Sequence, residues 1–213
     1  MSRPLVLGLI TAALVLTTGA GHTSAASADS SATAPSNMSA PAGSLSSPNL
    51  LMLFDFDDPD AAQWNIENDG VMGGRSQGAA RVSDGTLVFT GEVVTQGGGF
   101  SSVRASLQED LSDYDGIALR VRGGGRTFEL DVDDGTRSRG REVNRRGPFP
   151  TSRSWETVRV PFDALTESAH GEPVRVAPID LSAVASIGIY IIDGKDGPFR
   201  LEVDWIRAYR AAK

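Results

Sequence analysis

The sequence predicts an all-β fold, a β-sandwich of jelly-roll type, and three observations carry that prediction. Apolar residues after position 50 recur with a period of two, the runs are bounded by Gly, Pro or Asp, and no stretch of a dozen residues carries a helical stripe. A chain of 213 residues with 24 glycines and 11 prolines has the length for one such core and the punctuation that short strands need.

The elements follow in order. Residues 53–57, 86–93 and 100–107 read as the first strands. Ile117, Leu119 and Val121 alternate with Ala118, Arg120 and Arg122. After the turn Gly123-Gly124-Gly125, Phe128, Leu130 and Val132 alternate with Glu129 and Asp131. Val158, Val160 and Phe162 follow Trp155, with Thr157 and Arg159 on the other face. Ile187, Ile189 and Ile191 lie in a nearly continuous apolar run, as a strand buried on both faces would. Phe199, Leu201, Val203 and Trp205 alternate with Arg200, Glu202 and Asp204, and this pattern places Trp155 and Trp205 in the core. Short turns of helix fit near 58–63 and 162–166.

The amino-terminal residues serve targeting. Residues 1–28 read as a signal peptide: Arg3 supplies the charge, Leu5 to Leu16 the apolar run and Ala26-Ser27-Ala28 the cleavage site. Residues 29–49, small, polar and broken by proline, read as a flexible linker that cannot bury enough apolar surface to offset its ordering entropy. Residues 50–213 form the folded domain. The expectation is an exported protein (periplasmic, cell-surface or secreted), in contact with a membrane only if the signal segment is retained.

Composition excludes much chemistry. With no cysteine, disulfides, zinc–thiolate sites and thiol nucleophiles are out. Of the two histidines, His22 lies in the signal segment, which leaves His170 alone and no two-histidine metal site. A formal net charge of −7 argues against a nucleic-acid partner. Asp131, Asp133 and Glu142 imitate an EF-hand, but Gly135 stands where a ligand belongs and Thr136 where the turn glycine belongs. No phosphate loop is present. No cofactor and no metal are expected, although a simple loop site for calcium around Asp55, Asp57, Asp58 and Asp60 stays open.

Several local patterns are more specific. They are Asn68-Asp69-Gly70-Val71-Met72-Gly73-Gly74, Gly98-Gly99-Phe100-Ser101-Ser102-Val103-Arg104, Asp113-Tyr114-Asp115-Gly116, the run from Trp155 to Phe162, and the run from Gly197 to Ile206. In this order, from about Phe54 to Tyr209, the set resembles the complex I intermediate-associated protein 30 family. That resemblance implies a galactose-binding-like β-sandwich and a non-catalytic role in holding or assembling another protein.

Two groups of residues stand out as candidate sites. The glycine runs Gly73-Gly74 and Gly97-Gly98-Gly99 with Asp69, Arg75 and Arg104, and with Phe100 and Ser102 beside them, could form a polar loop rim for a sugar, a carboxylate or a partner chain; the alternative is tight inter-strand loops whose Asp and Arg pair internally. Arg139 and Arg141 belong to a basic cluster with Arg137, Arg145 and Arg146 that could take an acidic partner; the alternative is a solvated, salt-bridged hairpin. The function expected is therefore a non-catalytic module for a protein partner, or alternatively a carbohydrate-binding module. Exposed Trp64 and Phe100 beside Asp69 and Arg104 would favour a glycan, and buried aromatics with a large apolar or arginine-rich face would favour a protein.

Overall fold

The computed structural model describes residues 49–211; the signal peptide expected at residues 1–28 and nearly all of the expected linker at 29–49 lie outside the described residues. Fifteen strands are present among them: β1 (Leu50–Phe54), β2 (Asn65–Asn68), β3 (Gln77–Ser83), β4 (Thr86–Val93), β5 (Ser101–Glu109), β6 (Gly116–Arg122), β7 (Thr127–Asp133), β8 (Arg137–Ser138), β9 (Arg141–Glu142), β10 (Asn144–Pro150), β11 (Glu156–Pro161), β12 (Thr166–Ala169), β13 (Glu172–Pro173), β14 (Val184–Ile191) and β15 (Gly197–Tyr209). No helix among the described residues is long and apolar enough to cross a membrane.

The strands form two antiparallel sheets. The six-stranded sheet runs β11-β6-β15-β4-β3, with β1 added against the far half of β15. The seven-stranded sheet runs β13-β12-β10-β7-β14-β5-β2, and β8 and β9 make a separate small hairpin. Phe89, Leu119, Val121, Leu201 and Val203 from the first sheet and Val103, Phe128, Leu130, Ile187 and Ile189 from the second join one buried core. Alternation dictates this: each strand turns every second residue inward, and burying a Val, Leu, Ile or Phe side chain stabilises by about 1.5–3 kcal/mol.

Two expectations need correction. Trp155 and Trp205 are half-buried on the outer face of the six-stranded sheet, not in the core. Trp155 has the parity of Thr157 and Arg159, so it points outward with them. In β15 a bulge between Val203 and Trp205 shifts the register, so Ile206 and Ala208 take over the inward positions. One extra residue flips every later side chain to the other face. The helical turn near 162–166 is found as a single 3-10 turn, Phe162–Ala164, whereas residues 58–63 form bends and a turn.

Candidate functional site

The glycine loops are built around one carboxylate. Asp69 is fully buried, and its oxygens accept from Ser76 N at 2.9 Å, Ser76 Oγ at 2.6 Å and Gly99 N at 2.6 Å. Burial alone would raise its pKa, but these hydrogen bonds, with a weaker one from Phe100, hold it below the usual range. The two glycine runs close over it: a Cβ on Gly74 would lie 2.2 Å from Asp69 Cγ, and one on Gly98 would lie 2.6 Å from Asp69 Cβ. Asp69, Gly74 and Ser76 thus make the internal pairing that the sequence left as one alternative. Gly73 and Arg75 stay at the surface, where Arg75 donates to Gln96 at 2.9 Å.

The outer face of the seven-stranded sheet is different. Strand register lines up Asn65, Arg104, Gly188, Asp131, Arg146 and Thr166 in one row across the sheet. Glu67, Ser102, Tyr190, Glu129 and Pro148 form the next row. Both rows point away from the core, because the intervening residues Val103, Leu130 and Ile189 point into it.

Ion pairing ties the rows together. Arg104 donates from Nη2 to Asp131 Oδ2 at 2.7 Å and to Tyr190 Oη at 3.1 Å, and from Nη1 to Glu142 Oε1 at 2.6 Å. The guanidinium carbon of Arg146 sits 3.6 Å from the centre of the Tyr190 ring. Arg146 Nε lies 3.5 Å from Asp131 Oδ1, yet neither atom has a hydrogen-bond partner among the described residues. Ser186 Oγ, on the same face and also buried, has none either. Asp131 is 1% exposed, and burial pushes its carboxyl up to about 6 against the pull of Arg104 and Arg146. A buried polar atom left unsatisfied costs about 1–3 kcal/mol, so three of them on one face single it out as a candidate site.

Of the residues singled out from sequence, Ser102 and Arg104 lie on this face, with half-buried Phe100 beside Tyr190 at 6.1 Å between ring centres. Glu129, Ser186 and Tyr190 were not singled out, while Asp131 was weighed only in the EF-hand imitation and Arg146 only in the basic cluster. The basic cluster divides: Arg145 is buried against Asp134 at 2.6 Å, Arg146 joins the sheet face, and Arg139 and Arg141 remain exposed. Among the described residues no group of three or more His, Asp or Glu side chains converges to hold a metal ion.

Aromatic rings are already occupied. Trp64 packs against Phe54 and Phe56, Trp155 lies under Arg120 and Arg122, and Trp205 lies under Arg207. Tyr114, Tyr190 and Tyr209 have Arg210, Arg146 and Arg159 against them. All three tryptophans and all three tyrosines of the chain therefore have a partner of this kind.

Comparison with known proteins agrees with the fold. The family model of Complex I intermediate-associated protein 30 matches residues 54–203. The mitochondrial Complex I intermediate-associated protein 30 of Mus musculus is 33% identical over 107 residues, 48% of this chain and 33% of that protein. The probable mitochondrial counterpart from Caenorhabditis elegans is 25% identical over 151 residues, 59% of this chain and 43% of that protein. The chain thus spans well under half the length of these relatives. Among solved structures, the family 11 carbohydrate-binding module of Clostridium thermocellum, in complex with a β-1,3-1,4-mixed-linked tetrasaccharide, aligns with a TM-score of 0.58 at 17% identity. That alignment covers 78% of this chain and 98% of the module, and it shows a shared β-sandwich fold.

Proposed function

The chain belongs to the complex I intermediate-associated protein 30 family, and we propose that it is an exported, non-catalytic module that holds a protein partner on the outer face of its seven-stranded sheet. The observation that carries this reading is the set of buried atoms without a hydrogen bond, Asp131 Oδ1, Arg146 Nε and Ser186 Oγ, on that face. Glu67, Glu129, Asp131, Asp133 and Glu142 outnumber Arg104 and Arg146 there, so the partner segment that fits is basic and rich in hydrogen-bond donors. Occupied Trp and Tyr rings support a protein over a glycan, because sugar recognition draws on free aromatic faces. Export rests on the signal-like residues 1–28, and the mass of the mature amino terminus in the native host tests it.

A second reading is a glycan on the same face. One hydroxyl group placed between Asp131 Oδ1 and Arg146 Nε, 3.5 Å apart, could donate to the first and accept from the second. The family 11 module with its bound tetrasaccharide shares this fold.

Photo-cross-linkers placed at Glu67 and Glu129, with a control at Arg159 on the opposite sheet, separate the readings in the native host. One protein captured through a basic segment, from the first two positions alone, is the expected result. Capture from Arg159 only would overturn the assignment of the face. Polysaccharide released by free sugar would establish the second reading instead.

A further inference from the structure

Between two β-hairpins lies an open hollow of about 650 Å³, with Ser138, Arg139, Arg141, Glu172 and Arg175 as its polar lining. The first hairpin pairs Ser138 with Arg141 around the tip Arg139-Gly140. The second pairs Ala169 with Glu172 around the tip His170-Gly171. Both tips use two consecutive positive φ angles, 52° at Arg139 and 80° at Gly140, then 52° at His170 and 80° at Gly171. Such turns favour Asn, Asp or Gly at the first position; a long side chain there is held at a conformational cost.

The arginines of the hollow lack carboxylate partners, as do Arg81, Arg137 and Arg153 among the described residues, but only here do three such side chains line one hollow. Arg104, Arg120, Arg122, Arg126, Arg145, Arg146 and Arg200 each meet a carboxylate within the domain. Arg139, Arg141 and Arg175 are exposed, and their side chains make no hydrogen bond or ion pair with any described residue. Three unpaired guanidinium groups against the one carboxylate of Glu172 leave the hollow positive, in a chain whose net charge is −7.

We propose that this hollow binds a multiply charged oxyanion through Arg139, Arg141 and Arg175. Guanidinium forks match the paired oxygens of carboxylate, sulfate and phosphate groups. The volume lies in the range of small-molecule sites, about 300–1,000 Å³, and exceeds what a single small anion fills, so the ligand carries two or more such groups. Glu172 repels an anion that sits out of register. The site is separate from the sheet face around Asp131 and does not rest on it.

Calorimetric titration of the full chain at low ionic strength tests the proposal, with pyrophosphate, citrate and acetate as probes. Saturable binding of pyrophosphate or citrate, at least about tenfold tighter than acetate and weakened by salt, is expected. Whichever of the two binds more tightly identifies a phosphate or a carboxylate source. The R139Q/R141Q/R175Q variant should lose the binding while keeping its Tm, since these side chains hold nothing in place. R139N should weaken binding about tenfold with a Tm equal to or above that of the parent, because Asn accepts the left-handed tip at less cost. No saturable binding of either multivalent probe, or affinity unchanged in both variants, would overturn the proposal.

Discussion

Arg104 reaches across the central strand β14 to Asp131, placing its Nη2 2.7 Å from a carboxylate that is 1% exposed. The bond joins β5 to β7, which are not neighbours in the sheet, and it passes over Gly188, the glycine that lies between them in the row. Truncating Arg104 therefore strands a buried charge. Arg104→Ala should destabilise by about 3 kcal/mol, the low end for breaking a buried pair, because the Arg104 side chain is 22% exposed. Urea denaturation checks this. Loss of partner capture at unchanged stability would show instead that Arg104 serves binding and not the fold.

The loop glycines make a sharper distinction. Gly74→Ala puts a methyl group 2.2 Å from Asp69 Cγ, and Gly98→Ala puts one 2.6 Å from Asp69 Cβ, on a side chain fixed by hydrogen bonds. Each should cost about 1–3 kcal/mol through overpacking. Gly73→Ala meets nothing within 4 Å and pays only for its φ of 85°, about 1–2 kcal/mol. Asp69→Ala should exceed all three, since the Ser76 and Gly99 N–H groups lose their acceptor together. Thermal melts of the four variants rank them.

Stability should peak in mild acid, because two carboxyls pull in opposite directions. Asp131, lifted to about 6 by burial, holds its proton more tightly folded than unfolded. Its contribution is therefore present at low pH and falls as pH rises from about 4 to 6. Glu202 is held down to about 2, chiefly by the hydrogen bond from Arg122 and then by Arg200. Its contribution, on the order of 1–3 kcal/mol after allowing for the half-exposed arginines, is present above its unfolded value and lost as pH falls from about 4.5 to 2. Melting temperatures across pH 2–8 should show both limbs. Asp131→Asn should flatten the limb above about pH 4, and Glu202→Gln the acid one; a profile unchanged by either substitution would refute the assignment.

Arg145 and Asp134 form the most deeply buried pair, each side chain 1% exposed, with their contact at 2.6 Å. Asp134 also accepts from Asp180 N at 2.8 Å, and Arg145 donates to Ala177 O at 3.0 Å, so the pair ties the 177–180 segment to β10. Each single alanine variant should cost about 3–5 kcal/mol. The double variant should cost less than the sum by more than about 1 kcal/mol, because neither leaves the other's charge unpaired. Additive losses in a double-mutant cycle would show that the two act separately.

Local alternation made much of the sandwich readable. The strand expected at 86–93 is found as Thr86–Val93, and the buried run around Ile189 is the central strand β14. The segment Asn144–Pro150, with two arginines and two prolines, gave no strand pattern, yet it is β10. Pro148 and Pro150 are tolerated because β12 pairs only with Asn144 to Arg146, leaving one side of β10 open beyond that point. The candidate face of the seven-stranded sheet was less accessible to sequence. Parity alone sends Arg104, Glu129 and Asp131 outward, but their meeting depends on the order β10-β7-β14-β5-β2, which no local period encodes. The bulge in β15 is equally invisible, and it is what carries Trp205 out of the core.

The first residues of the domain give the last prediction. Strand β1 begins at Leu50 and pairs with β15 from Leu50 opposite Tyr209 to Phe54 opposite Ile206, while Asn49 O accepts from Arg210 N at 2.9 Å. Among the described residues, removing residues 1–49 takes away the hydrogen bond at Asn49 O, and the product should melt within a few degrees of a chain that begins a few residues earlier. Removing residues 1–54 strips β1 from the edge of the six-stranded sheet. It also deprives Trp64 of the Phe54 ring, 5.0 Å away centre to centre. Losing the half-buried Leu51, Leu53 and Phe54 side chains should cost about 3–5 kcal/mol and expose the backbone of β15 to pairing with other chains. Melting curves and size-exclusion profiles of the two truncations decide it: aggregation of the longer product, residues 50–213, would move the domain boundary toward the amino terminus.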